Sequence, residues 1–256
     1  MSLTVLMPVK HYHPEYLRRA LGSIASQSSP DWHLLVLVEQ DRDSGLDDLL
    51  APYLPDPRVE MVVNEGRKLA GAFNTGMRHA TTDFVAILLA DDMWTADAVA
   101  VLAERIRAHP EADFFHSARA IVGEHDEPLS DVHPVREGYS LKDFRRRTPV
   151  KHLLCWRRAM GLAIGGMDET LNSVGPDDFD FPWSMAEAGA VFRPVPDCLY
   201  LYRDHRACFR LTTHLPRAVH VAEMRRIMRK HGVGRLTIER RVLDARLTYL
   251  RQCLYP

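Results

Sequence analysis

Phe84-Val85-Ala86-Ile87-Leu88-Leu89-Ala90-Asp91-Asp92-Met93 is the stretch whose reading decides the fold. The apolar run from Phe84 to Leu89 reads as a strand buried on both faces, as central strands of a parallel sheet are. Its carboxyl end stops on two adjacent acids, and open α/β sheets bind ligands beyond the carboxyl ends of their strands. Two neighbouring carboxylates repel each other unless a hard cation or a cationic ligand lies between them. The same loop could instead start the next helix, with Thr95 or Asp97 as its cap.

Working outward, strands and helices alternate. Leu3 to Val9, His33 to Val38 and Val59 to Asn64 read as strands. Helices are predicted from about Pro14 to Ser26, through Gly71, Asn74 and His79, and from about Ala96 to His109, where Pro110 stops the last one. This rhythm implies a parallel sheet with right-handed crossovers. It breaks after Phe115, and the polar, proline-bearing segment from Val122 to Tyr139 reads as a mobile loop. A late strand is expected from Asp197 to Arg203. The tail, Leu215 to Leu254, reads as two amphipathic, arginine-rich helices around His231-Gly232-Val233-Gly234. Such helices pack on their own domain or form a homodimer more readily than they lie on a membrane.

Composition excludes several classes. A chain of 256 residues can bury a sizeable core. Its net charge of -1 gives no reason to expect nucleic acid as a partner, although basic residues gather between Arg217 and Arg251. The four cysteines, Cys155, Cys198, Cys208 and Cys253, form no C-x-x-C pair and read as reduced thiols rather than a zinc site. No run approaches a transmembrane span, and Met1 to Val9 lacks a secretion signal, so a cytoplasmic location is expected.

A second acidic group, Gly175-Pro176-Asp177-Asp178-Phe179-Asp180-Phe181, precedes a short helix from Pro182 to Glu187 that Gly189 ends. Asp177 and Asp178 either complement the positive end of that helix or, facing a cleft, supply a general base. The run Tyr202-Arg203-Asp204-His205-Arg206 follows the late strand.

The order of these pieces carries a resemblance. Met7-Pro8-Val9-Lys10 is followed by Ala20-Leu21-Gly22-Ser23-Ile24-Ala25-Ser26-Gln27 and by a second strand ending in an acid. Then come Asn74-Thr75-Gly76, Ala90-Asp91-Asp92, Gly165-Gly166-Met167-Asp168-Glu169, Asp177-Asp178 and Tyr202-Arg203-Asp204-His205. The set resembles the family-2 glycosyltransferases of the GT-A fold, over roughly residues 3 to 210. That resemblance implies a Rossmann-like, mostly parallel α/β sheet flanked by helices. It divides the chain into a GT-A domain over residues 1–213 and a C-terminal helical extension over 214–256. Within the domain, 1–115 would be the nucleotide-sugar half and 116–213 the acceptor and catalytic half.

The resemblance also implies the chemistry. A UDP- or GDP-linked sugar is the expected donor, Mn²⁺ or Mg²⁺ the expected cofactor, and an acceptor hydroxyl the expected target of an inverting transfer. Pro8, Val9 and Lys10 would border the base, and Glu39 would contact base or ribose where the family usually has Asp. Arg67 or Lys68 would lie near the phosphates, with Arg206 and Arg210 on the departing diphosphate. Asp91, Asp92 and His205 match the metal positions, with Asp91 also donor-binding. Leu89 stands where many relatives carry a further Asp. Asp178 matches the catalytic base, Asp177 assists it, Gly166 would meet the acceptor or a sugar, and Trp156 would either stack on a sugar ring or be an ordinary core or surface tryptophan.

Two rivals fall away on motifs. The first turn lacks the Gly-x-Gly-x-x-Gly run of nicotinamide enzymes and the glycine-rich phosphate loop of nucleotidyltransferases. A catalytically inactive module that binds nucleotide sugar or glycan is the remaining alternative. No Gln-x-x-Arg-Trp run of processive synthases occurs, so addition of a single sugar is expected.

Overall fold

Burial on both faces of the first strands builds the core. In a computed structural model describing residues 2–146, 148–171, 175–205 and 217–243, β1 (Leu3–Val9) sends Leu3, Val5, Met7 and Val9 to one face and Leu6 to the other. The first face packs on α1 (Pro14–Ala25) through Leu17, Leu21 and Ile24. The second packs on α3 (Lys68–His79), which comes after α2 (Ser44–Leu50) in the chain, through Phe73 and Met77. Both faces are dry, as expected of a parallel sheet covered by helices.

The sheet has eight strands in the order β3-β2-β1-β4-β7-β6-β8-β5. β1, β2 (Trp32–Val38), β3 (Val59–Val63) and β4 (Phe84–Ile87) run parallel, with Val9 beside Val38, Val38 beside Val63 and Leu6 beside Ile87. β7 (Leu154–Arg157) is antiparallel to both β4 and β6 (Phe114–Val122), β8 (Phe192–Arg203) lies parallel to β6, and β5 (Met93–Trp94) closes the edge against β8. The strand order reverses between β1 and β4. That switch point is where such sheets open a crevice at their carboxyl ends.

β4 is shorter than its apolar run predicts. Leu88 still donates to the Leu6 carbonyl at 3.1 Å, and the chain then turns, with Asp92 N bonding Leu89 O at 3.2 Å. The acids therefore project from the crevice end. The segment after Val122, expected to be a mobile loop, is a strap folded back on β6. Leu129 N bonds Ile121 O at 2.9 Å, Gly123 N bonds Glu127 O at 2.8 Å, and Arg119 and His133 exchange backbone bonds of 3.3 and 2.7 Å. Its polar residues serve as edge partners for β6, which is why composition alone reads as unordered chain.

The C-terminal helix Arg217–Lys230, and helical residues 235–243 after it, pack on their own domain. Ile227, Met228, Val233 and Ile238 join Phe144, Leu171, Phe179 and Trp183 in a third apolar cluster. His231 lies flat on Trp183, with ring centroids 4.1 Å apart.

His116, in mid-β6, is 1% exposed, and among the described residues neither ring nitrogen has a hydrogen-bond partner. Burial pushes its pKa down to about 4. The unfolded chain binds this proton first, so stability present above about pH 6.5 drains away as pH falls towards about 4, by roughly 3 kcal/mol. His116→Leu removes the unsatisfied nitrogens at similar volume. We expect thermal denaturation to show the variant more stable at neutral pH, with this part of the acid dependence gone; an unchanged pH profile would contradict the assignment.

Candidate active site

Because β1 to β4 are parallel, Pro8-Val9-Lys10, Glu39, the Asn64–Lys68 loop and Asp91-Asp92 all come to one end of the sheet. Val9 is buried and Lys10 exposed. The loop between β3 and α3 is organised by Asn64, whose Nδ2 donates to Glu39 Oε1 at 3.2 Å and to the Lys68 carbonyl at 3.3 Å. Its Oδ1 accepts from Gly66 N at 2.9 Å. Arg67 N donates to Glu169 Oε2 at 2.8 Å, and Lys68 takes a φ of 60°, in the left-handed region.

The two acids after β4 have different surroundings. Asp92 is 1% exposed, and both of its oxygens are used: Oδ2 accepts from the Tyr200 hydroxyl at 2.6 Å and Oδ1 from Arg203 N at 2.7 Å. Burial, reinforced by the Asp91 charge, pushes its pKa up to about 7. Asp91 instead keeps a side chain 34% exposed, and its Oδ2 lies 3.0 Å from His205 Nε2. The His205 ring is held against Tyr16 of α1, with centroids 4.7 Å apart. Arg203 braces the turn from beneath: Nε donates to the Asp91 carbonyl at 2.9 Å and Nη1 to the Gly123 carbonyl at 2.8 Å. Its guanidinium lies 4.7 Å from the Tyr16 ring centroid.

The second acidic group forms a single π-helical turn, Pro176–Asp180, with Asp180 N bonding Gly175 O at 2.7 Å. Such turns are frequent at functional sites. The helix Phe181–Glu187 follows directly, and Gly189 ends it with φ 87°. Within the turn the three acids separate. Asp180 is buried against the C-terminal helix, with Oδ2 2.7 Å from Lys230 Nζ and Oδ1 3.0 Å from His231 Nε2. Asp177 faces His152, Oδ2 to Nε2 3.1 Å. Asp178 is left partly open, with its carbonyl held by Thr148 Oγ1 at 2.6 Å.

Burial and the neighbouring Asp177 charge raise the Asp178 pKa to about 6, against the opposing charges of His152 and Arg119. His152 is pulled down by burial, but Asp177, Asp178 and Asp92 together hold it above its ordinary value. Its ring centroid lies 5.3 Å from that of Tyr200, which itself bonds Asp92. His152 thus stands between the two acid pairs. What sits at this end of the sheet is one exposed carboxylate with an imidazole, and a second, half-covered carboxylate poised to accept a proton near neutral pH.

Residues 4–162 match the family model described as "Glycosyl transferase family 2". This chain is a member of glycosyl transferase family 2. The chain is 39% identical over 102 residues to the succinoglycan biosynthesis protein ExoW of Rhizobium meliloti (strain 1021), covering 38% of this chain and 31% of that one. It is 31% identical over 97 residues to the UDP-Glc:alpha-D-GlcNAc-diphosphoundecaprenol beta-1,3-glucosyltransferase WfgD of Escherichia coli, covering 37% of each. The matched segments thus span only about a third of those curated relatives.

Among solved structures, S. aureus TarS 1-349 in complex with UDP-GlcNAc superposes with a TM-score of 0.69 at 15% identity, over 95% of this chain and 71% of that one. The mannosyltransferase PcManGT of Pyrobaculum calidifontis, in complex with GDP-Man and Mn²⁺, gives 0.62 at 22% identity, over 90% and 63%. The fold of this chain is therefore GT-A: a mixed α/β sheet, mostly parallel and flanked by helices, with a C-terminal helix added.

The two residues expected on the acceptor side have packing roles. Trp156 is 0% exposed, because β7 inserts between β4 and β6; it packs on Phe114 and Phe181 and donates to Met77 Sδ at 3.3 Å. No face of its ring is open to a sugar, which corrects the stacking expectation. Gly166, at φ 76°, makes room for Asn74: a Cβ there would meet Asn74 Oδ1 at 2.3 Å. Asn74 Oδ1 accepts from Met167 N at 2.7 Å, and its Nδ2 donates to Glu169 Oε1 at 2.9 Å. The Gly165–Glu169 run is thereby fastened to α3. Arg206 and Arg210 lie outside the described residues, as do Cys208 and Cys253.

Tyr200, Arg203 and His152 were not singled out from the sequence. Arg203 stood inside a quoted motif, but nothing in its spacing distinguishes a buried brace from an exposed cation. Among the described residues, no helix is long and apolar enough to cross a membrane.

Proposed function

We propose that this chain transfers one sugar from a UDP- or GDP-linked donor to an acceptor hydroxyl, by a metal-assisted, inverting, non-processive displacement. The observation that carries the reading is the division of labour between the acids: Asp91 open beside His205, and Asp178 half-covered with a pKa near 6. The named substrates of WfgD, and the UDP-GlcNAc and GDP-Man of the structural neighbours, favour a nucleotide sugar. In this reading residues 1–115 hold the donor, 116–213 supply the base and the acceptor surface, and 214–256 support the acid turn from behind.

The donor set fits a hard divalent cation. Among the described residues no three His, Cys, Asp or Glu side chains converge on one point. Mg²⁺ and Mn²⁺ sites commonly use one or two protein ligands and take the rest from substrate phosphates and water. Asp91 and His205 would be those ligands, and the imidazole tilts the choice towards Mn²⁺. Asp92, with both oxygens already bonded, positions the turn. The metal, when bound, would neutralise charge on the departing diphosphate.

The chain's own residues do the rest. Pro8 to Lys10 and Glu39 border the base and ribose, and Arg67 or Lys68 reaches the phosphates. Asp178 accepts the proton of the acceptor hydroxyl as its oxygen bonds to the anomeric carbon and the bond from that carbon to the diphosphate breaks. One base and one displacement invert the anomeric configuration. Asp177 and His152 hold Asp178's turn in place.

The nucleotide is settled by heat protection. UDP, GDP and their common sugars, each with Mn²⁺, are added and the melting temperature is read; the true donor raises it by mass action. Protection by none of them would overturn the donor class.

A further inference from the structure

Arg119 is a cation near the proposed base that the proposed reaction does not use. It lies on β6 at an irregularity where the register against β8 shifts twice, between Ser117 and Ala118 and between Ala118 and Arg119. Bulges of this kind re-aim side chains and gather next to active sites. The guanidinium is stacked over Tyr202, 5.0 Å from the ring centroid, and its Nε is shielded from solvent with no hydrogen-bond partner among the described residues. A desolvated N–H left without an acceptor is costly, so a site that keeps one is shaped for something that arrives.

A second donor stands beside it. Arg119 and His133 form a directly opposed antiparallel pair, each donating its backbone N–H to the other's carbonyl, so their side chains leave the same face. His133 Nε2 is likewise buried and unpartnered among the described residues. The charge of Arg119 is felt at Asp178, yet no ion pair joins the two among the described residues. The fork of Arg119 is therefore near the proposed base without being consumed by it.

We propose that Arg119 and His133 form an oxyanion-binding subsite beside Asp178 that holds a phosphoryl or carboxylate group of the acceptor. The inference rests on the assignment of Asp178 to the acceptor side. A planar guanidinium grips such groups through two parallel N–H bonds, and the imidazole adds a third donor. The subsite uses neither Asp91 nor His205, where the donor's own diphosphate is expected. The acceptor is accordingly an acidic glycan or a phosphate-bearing carrier, and its anion orients the hydroxyl towards Asp178.

The test keeps the donor pocket filled. Protein saturated with UDP and Mn²⁺ is titrated with glycerol 3-phosphate, with acetate and with glycerol, and binding is followed by NMR. A response to the phosphate ester identifies a phosphoryl group, and a response to acetate a carboxylate; either supports the subsite, with glycerol silent. Arg119→Gln weakens the responding anion at least tenfold, Arg119→Lys less, and His133→Gln by about threefold, while UDP affinity stays within twofold. No anion response in wild type, or an equal response in folded Arg119→Gln, overturns the subsite. A parallel loss of UDP affinity overturns it too, since the arginine would then serve the donor. If Arg119→Gln does not fold, His133→Gln carries the same comparison. Failure of UDP to bind at all would instead strike the donor assignment.

Discussion

Asp178→Asn lowers sugar transfer by roughly 10²-fold or more, the usual scale for losing general-base catalysis. The amide keeps the size of the carboxyl and most of its hydrogen bonds, and the carbonyl anchor to Thr148 is untouched. What it lacks is a lone pair basic enough to take the acceptor's proton. Affinity for nucleoside diphosphate stays unchanged, because the base acts on the acceptor and not on the leaving group. Asp177→Asn costs less, through a weaker hold on His152.

The pH profile gives an independent reading of the same carboxyl. Its pKa is raised to about 6, chiefly by burial and by Asp177. Below that value Asp178 is protonated and cannot accept, so transfer rises with pH through about 6 and then levels. The acid limb belongs to the Asp177, Asp178 and His152 group as a coupled set. It vanishes in Asp178→Asn. Near-normal turnover by that variant, an acid limb that persists, or a product that retains the donor's anomeric configuration would remove Asp178 from the role.

How much of this was legible in the sequence differs from element to element. β1 and α1 lie where the apolar run and Pro14 put them, because local pattern and tertiary burial agree there. β8 begins at Phe192, earlier than expected, since Pro194 and Pro196 interrupt the pattern without ending the pairing to β6. The strap after Val122 is held by backbone pairing, which side-chain composition does not encode. The π-helical turn at Pro176 also had no signature beyond its acids. It sorts Asp177, Asp178 and Asp180 into three directions, a distinction invisible in a row of like residues.

The site was legible as a set of motifs and illegible as a division of roles. Asp91 and Asp92 are adjacent and alike, and only the partners Tyr200 and Arg203, far along the chain, show that one is built in and the other is open. Trp156 failed for the opposite reason: an aromatic residue looks the same in sequence whether β7 lies mid-sheet or at a rim. His152 is distant from both acid groups in the chain and reaches them only through the antiparallel entry of β7.

The measurement that bears most directly on the central claim is a calorimetric titration of UDP, and in parallel GDP, in Mn²⁺ and in EDTA, on wild type and on Asp91→Asn. Asp91 is a third exposed, and the amide still offers His205 a hydrogen-bond partner, so the melting temperature stays close to that of wild type. With Asp91 on the metal, one of the two nucleotides binds wild type at least tenfold more tightly in Mn²⁺ than in EDTA, roughly 1.4 kcal/mol or more. In Asp91→Asn that advantage disappears while the EDTA affinity stays put. Equal affinity in Mn²⁺ and EDTA for both nucleotides, or a metal advantage that survives in Asp91→Asn, would contradict that assignment.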